Sequence, residues 1–275
     1  MSPTRFPLVD IDLSRRIERA EANANRRFVE SRARHAPAVG ARWIEAGGAY
    51  AMFDGVGSPV TQTFGLGVFE PVTPAMLDSL EAFFTSRGSD VFHEISPLAD
   101  LSTLSLLSER GYRPCELTSI LFQPLPAELA AARRESIVTA RLSEPHEVEQ
   151  WAELAQGGWS DFPEVREFME SFTAIASDTE DAYRFMAFDG NTPIATAALS
   201  VHGDVAILAG ASTVPAARGR GAQRKLLEFR LAFAASLGCT LATMGALPGS
   251  RSQRNAEQSG FRIAYTRIKW VQSRS

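Results

Sequence analysis

Arg218, Gly219, Arg220 and Gly221 alternate inside "TVPAARGRGAQRKLLEFRL", residues 213–231, just before a run with helical periodicity. The first N–H groups of a helix have no partner within it, and the aligned peptide dipoles leave that end positive. Glycines adopt dihedrals and permit approaches that other residues resist. Arginines add planar, charge-assisted donors suited to phosphate oxygens. The preceding "VAILAGASTV" reads as a buried strand and "PAA" as the turn that leaves it. Strand, turn, glycine-arginine loop and helix together predict a pyrophosphate-sized anion site. A Walker A loop would need Gly-x4-Gly-Lys-Ser/Thr, which this stretch lacks. A dinucleotide fingerprint fits poorly, because Arg224 stands at its third glycine and a spacer separates strand from loop. The plain alternative is a surface turn with basic decoration.

Other candidates for chemistry are sparse. Glu94 in "VFHEISP" and Glu116 in "RPCELTS" lie in strand-like runs. Either could serve as a base or hold an amine in a cleft between the halves; the bland reading is solvation on an edge strand. His35, His93, His146 and His202 are scattered without the spacing of metal ligands, so no metal is expected. No Gly-x-Ser-x-Gly elbow occurs. Trp43, Trp151, Trp159 and Trp270 read as packing residues. Cys115 and Cys239 lie far apart and are expected as small buried hydrophobes in a reducing cytoplasm.

The elements that must position these residues follow from periodicity. Residues 13–34 predict a charged helix with Ile17, Ala20, Ala24, Phe28 and Val29 as a thin apolar stripe and the arginines as a solvated face. Residues 123–136, with two prolines and an Ala/Arg run, read as a linker. On either side lies a weak internal repeat. "AYAMFDGVGSPVTQTFGLGVF" from Ala49 parallels "AYRFMAFDGNTPIATAALSV" from Ala182, and "LLSERGYRPCELTSILF" parallels "NAEQSGFRIAYTRIKW". In the second pair, Gly111 and Gly260 suit left-handed helix C-caps. One unit used twice explains both. The second half reads as helices 144–157 (N-cap Ser143, Pro145 in the first turn) and 163–176, strands 184–188, 193–201 and 204–213, helix 221–236, strand 240–244, helix 250–259 and strand 261–271. In helix 221–236, Leu226, Phe229, Phe233 and Leu237 recur at spacings of three and four. This is an α/β unit with a mixed sheet.

The stretch "VPAARGRGAQRKLL" resembles the coenzyme A loop of the GCN5-related N-acetyltransferases (GNAT family), whose pattern is Gln/Arg-x-x-Gly-x-Gly/Ala. Arg218 and Gly221 fill the first two fixed positions, and Gln223 departs from the last. The resemblance extends over residues 138–271. It implies that Thr213 and Val214 pair with pantetheine amides and that the backbone of Gly219, Arg220, Gly221, Ala222 and Gln223 holds the pyrophosphate. "SRSQRNAEQSGF" resembles the family's second motif, where Ser252 and Asn255 would face the cofactor arm. The family's usual tyrosine acid falls at Ala256, so Tyr265 on the next strand is the substitute candidate. Trp159 would wall an acceptor pocket between the first two helices.

The resemblance implies an α/β (α+β) fold of two tandem GNAT-like domains, each a mixed, largely antiparallel sheet flanked by helices. The expected division is 1–126 (an N-terminal helix and a degenerate domain), a linker at 127–136, and an acetyl-CoA-binding domain at 137–275. The degenerate half has "FEPVTPAMLDSLEAFF" where the loop should be, without glycine or arginine. The implied function is acetyl transfer from acetyl-CoA to a primary amine of a small molecule rather than a peptide. The amine attacks directly in a ternary complex. The alternative is a non-catalytic acyl-CoA-binding or regulatory protein. The composition is compatible: of 275 residues 45% are hydrophobic, and the net charge is −4. That charge gives no footprint for nucleic acid and a slight tilt toward a cationic acceptor. No run suits a membrane span or a secretory leader.

Overall fold

The first helix, α1, runs Ile11–His35 and is N-capped by Asp10, whose carboxylate accepts the Leu13 amide at 2.9 Å. Its buried stripe contains Leu13, Ile17, Ala20, Ala22, Phe28 and Val29. The computed structural model describes residues 6–126, 137–160, 175 and 182–273. The expected helix at 163–176 lies outside the described residues except for Ile175, as does the expected linker at 127–136. The arginines of α1 are not simply a solvated face. Arg32 is buried and forks onto Asp54 at 2.8 and 3.1 Å, and the Arg19 guanidinium lies 4.1 Å from the Phe69 ring centre.

The chain folds as two compact units, and they do not follow contiguous halves. Among the described residues, one comprises 7–121, 245–250 and 263–273, and the other 6, 122–126, 137–160, 175, 182–244 and 251–262. The final strand therefore joins the unit built mainly from the N-terminal half, because it inserts into that unit's sheet.

That unit contains β1 (Arg42–Ala46), β2 (Ala49–Phe53), β3 (Gln62–Phe64), α2 (Pro74–Thr85), β4 (Val91–Ile95), α3 (Ser102–Glu109) and most of β5 (Arg113–Pro124) and β11 (Arg262–Gln272). Its strand order is β1-β2-β3-β4-β11-β5. The β3–β4 pair is parallel, and β11 runs antiparallel to β4 with Lys269 opposite Glu94. Leu77, Leu80, Phe83 and Phe84 of α2 bury against Ala51, Val91, Ile95, Leu107 and Tyr112. Residues 123 and 124, expected in the linker, end β5 instead.

The other unit holds β6 (Val138–Leu142), α4 (Val148–Gly158), β7 (Ala182–Asp189), β8 (Thr192–His202), β9 (Val205–Thr213), α5 (Ala222–Ser236), β10 (Leu241–Ala246) and α6 (Arg251–Gln258). Its order is β10-β9-β8-β7-β6, antiparallel except for β9–β10. Alternation along β7 sends Phe185 to Phe229 and Phe233 of α5, while Met186 packs with Trp151 and Ala155 of α4. The sheet is thus covered on both faces. The buried face of α5 ends at Ala234 and Ala235, short of the expected Leu237, which is the C-cap and is 43% exposed. The cap expected at Ser143 is Glu144. It forms a capping box with Glu147 in a 3-10 turn, Pro145–Glu147, that leads into α4. Gly111 and Gly260 do close their helices with positive φ, 78° and 99°. Cys239 is buried, but Cys115 is exposed on β5.

Candidate functional site

The pairing of β9 with β10 is short. It runs from Leu241↔Val205 to Thr243↔Ile207 and stops, although β9 continues to Thr213. On its other edge β9 remains paired with β8 as far as Thr213↔Ala195. Beyond Ile207, then, the edge of β9 facing away from β8 opens into a wedge. Backbone groups on such an edge need partners, and a ligand with amides of its own can pair there as an added strand does. Val214 has both of its bonds already: its N–H donates to the Ile194 carbonyl at 3.1 Å and its carbonyl accepts from Ala217 at 2.9 Å.

The wedge leads to the start of α5. Gly221 is the N-cap, at φ 83° and ψ 6°, with no side-chain cap and no acid in the first turn. Gly219 shares the left-handed conformation at φ 82°. A Cβ on either would meet nothing within 4 Å. These glycines therefore serve the dihedrals rather than a tight space, and the volume before the helix start is open. Open backbone donors at a positive helix end fit a pyrophosphate.

The side chains of this loop fold back onto β9 and the elements beside it. Arg218 donates to the Thr213 carbonyl at 3.3 Å and to the Gly158 carbonyl at 3.1 Å. Arg220 pairs with Asp189 at 2.7 Å, with side chains 54% and 30% exposed. An exposed pair of this kind is worth at most about 1 kcal/mol, so a phosphate could recruit that guanidinium cheaply. The Gln223 amide donates to Ser212 O at 2.6 Å, Thr213 Oγ1 at 3.0 Å and Thr196 O at 3.4 Å. Ala222 is buried at the helix start.

Gly158 is a residue that sequence reasoning missed. A Cβ there would lie 2.5 Å from Ser212 Cβ and 3.0 Å from the Thr213 nitrogen. The Gly157-Gly158 pair ending a helix was the available signal. Trp159 follows as the C-cap of α4, half-buried beside this contact. On α6, Ser252 is exposed and Asn255 half-buried, three residues apart, while Ala256 between the helix and its core is 1% exposed.

Residues 147–261 match the family model described as the acetyltransferase (GNAT) family. This segment is a GNAT acetyltransferase domain. No curated protein sequence matches the chain. Among solved structures, a GCN5-related N-acetyltransferase from Kribbella flavida is similar over 96% of each chain, at TM-score 0.66 and 19% identity. One from Sphaerobacter thermophilus covers 77% of this chain and 71% of its own, at TM-score 0.56 and 17% identity. A tandem GNAT protein from the clavulanic acid biosynthesis pathway covers 82% and 79%, at TM-score 0.57 and 10% identity. At such identities the likeness is one of fold: a mixed α/β, mostly antiparallel architecture shared with GNAT structures, one of them a tandem protein.

Tyr265, Glu94 and Glu116, the carboxylates and phenol named from sequence, all belong to the compact unit that does not hold the glycine-arginine loop. There Tyr265 and Glu94 lie beside Arg267, and Glu116 lies beside Lys269. Tyr265 is 7% exposed and donates to Glu18 Oε1 at 2.7 Å, and burial raises its pKa well above the usual phenol value. Arg267 donates to Glu18 at 3.0 Å and to Glu21, and lies 3.7 Å from Glu94. Lys269 joins Glu94 at 3.6 Å and Glu116 at 3.3 Å. Glu94 is 5% exposed, and burial raises its pKa. Burial likewise lifts Glu18 to about 7 despite the opposing pull of Arg267. Glu18 and Glu21 escaped the sequence reading because a charged helix face gives no sign that its carboxylates turn inward. Among the described residues no three His, Cys, Asp or Glu side chains gather as a metal site, and no helix is long and apolar enough to cross a membrane.

The equivalent strand-to-helix connection of this unit differs in kind. It does contain glycines, Gly65 and Gly67, upstream of the segment identified from sequence. Its space is filled: a Cβ on Gly65 would meet Phe69 at 2.8 Å, and one on Gly67 would meet Thr103 at 2.5 Å. The helix beyond is capped by Thr73, which accepts the Met76 amide at 3.2 Å, and Pro74 removes a further donor.

Proposed function

We propose that the chain is an N-acetyltransferase that moves the acetyl group of acetyl-CoA to a primary amine of a small molecule within a ternary complex. The observation that carries this reading is the wedge where β9 leaves β10, continuous with the uncapped start of α5 at Gly221. The wedge edge of residues 208–213 would pair with the pantetheine arm. The backbone from Gly219 to Gln223 would hold the pyrophosphate, with Arg220 released from Asp189 to join it. Ser252 and Asn255 carry polar side chains suited to the cofactor arm, and Trp159 suits an acceptor wall. Val214 would contribute through packing, its backbone bonds being spent inside the protein.

In the transfer, nitrogen gains the acetyl group as the C–S bond breaks, and the proton lost by the amine balances the thiol released. Tyr265, Glu94 and Glu116 remain the proposed proton-handling groups. The net charge of −4 favours a cationic acceptor. The free cysteines suit a reducing cytoplasm.

The filled connection at Gly65–Thr73 and its capped helix support a single coenzyme A per chain. The commitment of the Tyr265 hydroxyl to Glu18 favours one further reading, an acyl-CoA-binding protein without turnover. Thiol release from acetyl-CoA across a panel of small amines and amino-terminal peptides separates the two. Turnover with at least one small amine supports transfer. Binding without amine-dependent release supports the second reading.

A further inference from the structure

β9 carries an irregularity where it lines the wedge. Ala198 pairs with Ala209 and Thr196 with Ser212, so β9 spends one residue more than β8 between the two pairs. Gly210 takes φ 59° inside this bulge, and a Cβ there would crowd Ala198 Cβ at 3.3 Å. A bulge disrupts the ladder locally and re-aims the backbone around it. Left alone, such a segment loses cross-strand bonds and with them its fixed geometry.

Two side chains of α5 take hold of the strand pair on either side of the bulge. Arg230 is 4% exposed, and no carboxylate pairs with it among the described residues. Its Nη1 donates to Ala198 O at 2.9 Å and to Ala209 O at 3.3 Å, the carbonyls of the pair that precedes the bulge. Its Nε reaches Leu226 O at 3.4 Å within the helix. Burial lowers its pKa to about 9, a cost that hydrophobic packing alone would not explain. Seven residues earlier, and so on the same helix face, Gln223 donates to Thr196 O and Ser212 O, the carbonyls of the pair that follows. The Thr196 and Ser212 hydroxyls bond each other at 2.9 Å on that side.

We infer that Gln223 and Arg230 are positioning residues that clamp the bulged segment of β9 to α5 and thereby set the backbone that lines the acyl-carrier wedge. This accounts for glutamine at the loop position where the family pattern has a small residue: its side chain works backward onto the strand. The clamp also links the strand that would pair with the carrier arm to the helix that would hold the phosphates. Its consequence for binding rests on the proposed function; the clamp itself does not.

Hydrogen–deuterium exchange on the full chain without coenzyme A tests the clamp. Arg230→Met keeps an apolar stem and removes the donors. Amide exchange across 208–213 should speed by about tenfold or more, the scale of losing charge-assisted bonds, while 184–188 and 226–236 stay within about twofold. Arg230→Lys, which keeps a donor and the charge, should recover part of that protection. Unchanged exchange at 208–213, or acceleration spread evenly over the sheet in both variants, would overturn the inference. If Arg230→Met fails to fold, Gln223→Ala must show the same local loosening at 211–213, and its absence overturns the inference equally. Failure of wild-type protein to bind coenzyme A would refute the proposed function and leave this exchange result to stand by itself.

Discussion

Replacing Gly221 by aspartate separates charge from shape at the proposed phosphate site. The residue sits at φ 83° with nothing within 4 Å of a Cβ, so the substitution meets no steric clash. Left-handed backbone costs a side-chain residue about 1 kcal/mol, and Asp and Asn tolerate it better than most. A carboxylate at the helix start returns a similar amount through the dipole. Stability should therefore change by less than about 1 kcal/mol, a Tm shift of a few degrees. Binding should change far more. A unit charge about 4 Å from a phosphate oxygen repels by about 1 kcal/mol in water and about 4 kcal/mol near a protein surface. An intermediate value of about 2–3 kcal/mol weakens coenzyme A roughly 30- to 150-fold. Gly221→Asn carries the same bulk and strain without the charge and should lose no more than about fivefold. Isothermal titration with coenzyme A, beside a melting curve for each variant, reads both effects. If the aspartate variant binds like wild type, or the two variants lose affinity equally, phosphate does not sit before α5.

Further consequences can be measured on the same protein. Gly158→Ala drives a Cβ into Ser212 and the Thr213 nitrogen and should lower stability by about 1–3 kcal/mol while loosening the end of β9; chemical denaturation checks it, and a neutral result would show that the α4 end yields. Native mass spectrometry should find one coenzyme A per chain, and two would contradict the filled connection at Gly65 and Gly67. Asn255→Ala should raise the apparent KM for acetyl-CoA by roughly tenfold with kcat nearly unchanged, and Tyr265→Phe should lower kcat while acetyl-CoA binding stays; steady-state kinetics that leave both variants wild-type-like remove them from the site. Glu18 titrates near 7 when folded against 4.5 ordinarily, so the folded chain holds an extra proton between those values and stability falls as pH rises through that window. Glu21, Glu94, Arg267 and Tyr265 face it. Denaturant midpoints from pH 4.5 to 8 should show the fall, and Glu18→Gln should flatten it by up to roughly 3 kcal/mol.

The loop at 218–223 was legible because glycine, arginine and helix periodicity coincide within a few residues, and local rules govern all three. The strands and helices from Ala182 to Gln272 were legible for the same reason: helical periodicity and apolar strand runs bounded by Gly and Pro turns are local signals. What could not be read was long-range. Nothing local in "FRIAYTRIKW" says that this strand inserts between β4 and β5, since a strand's own pattern does not name its neighbours. The inward turn of Glu18 and Arg32 from a charged helix depends on partners at Arg267 and Asp54, distant in sequence. The role of Gln223 depends on a bulge whose only local sign is Gly210. The cap at Glu144 won over Ser143 because Glu147 can return the bond, and because Arg141 fixes that carboxylate at 2.5 and 2.6 Å.

The measurement that bears most directly on the coenzyme site is amide exchange of wild-type protein with and without saturating coenzyme A. Pairing along the wedge and capping of α5 predict slowed exchange confined to 208–213 and 219–224, with 64–76 unchanged. Protection at 64–76, or none at either segment despite measurable binding, would contradict the placement of the carrier between β9 and the start of α5.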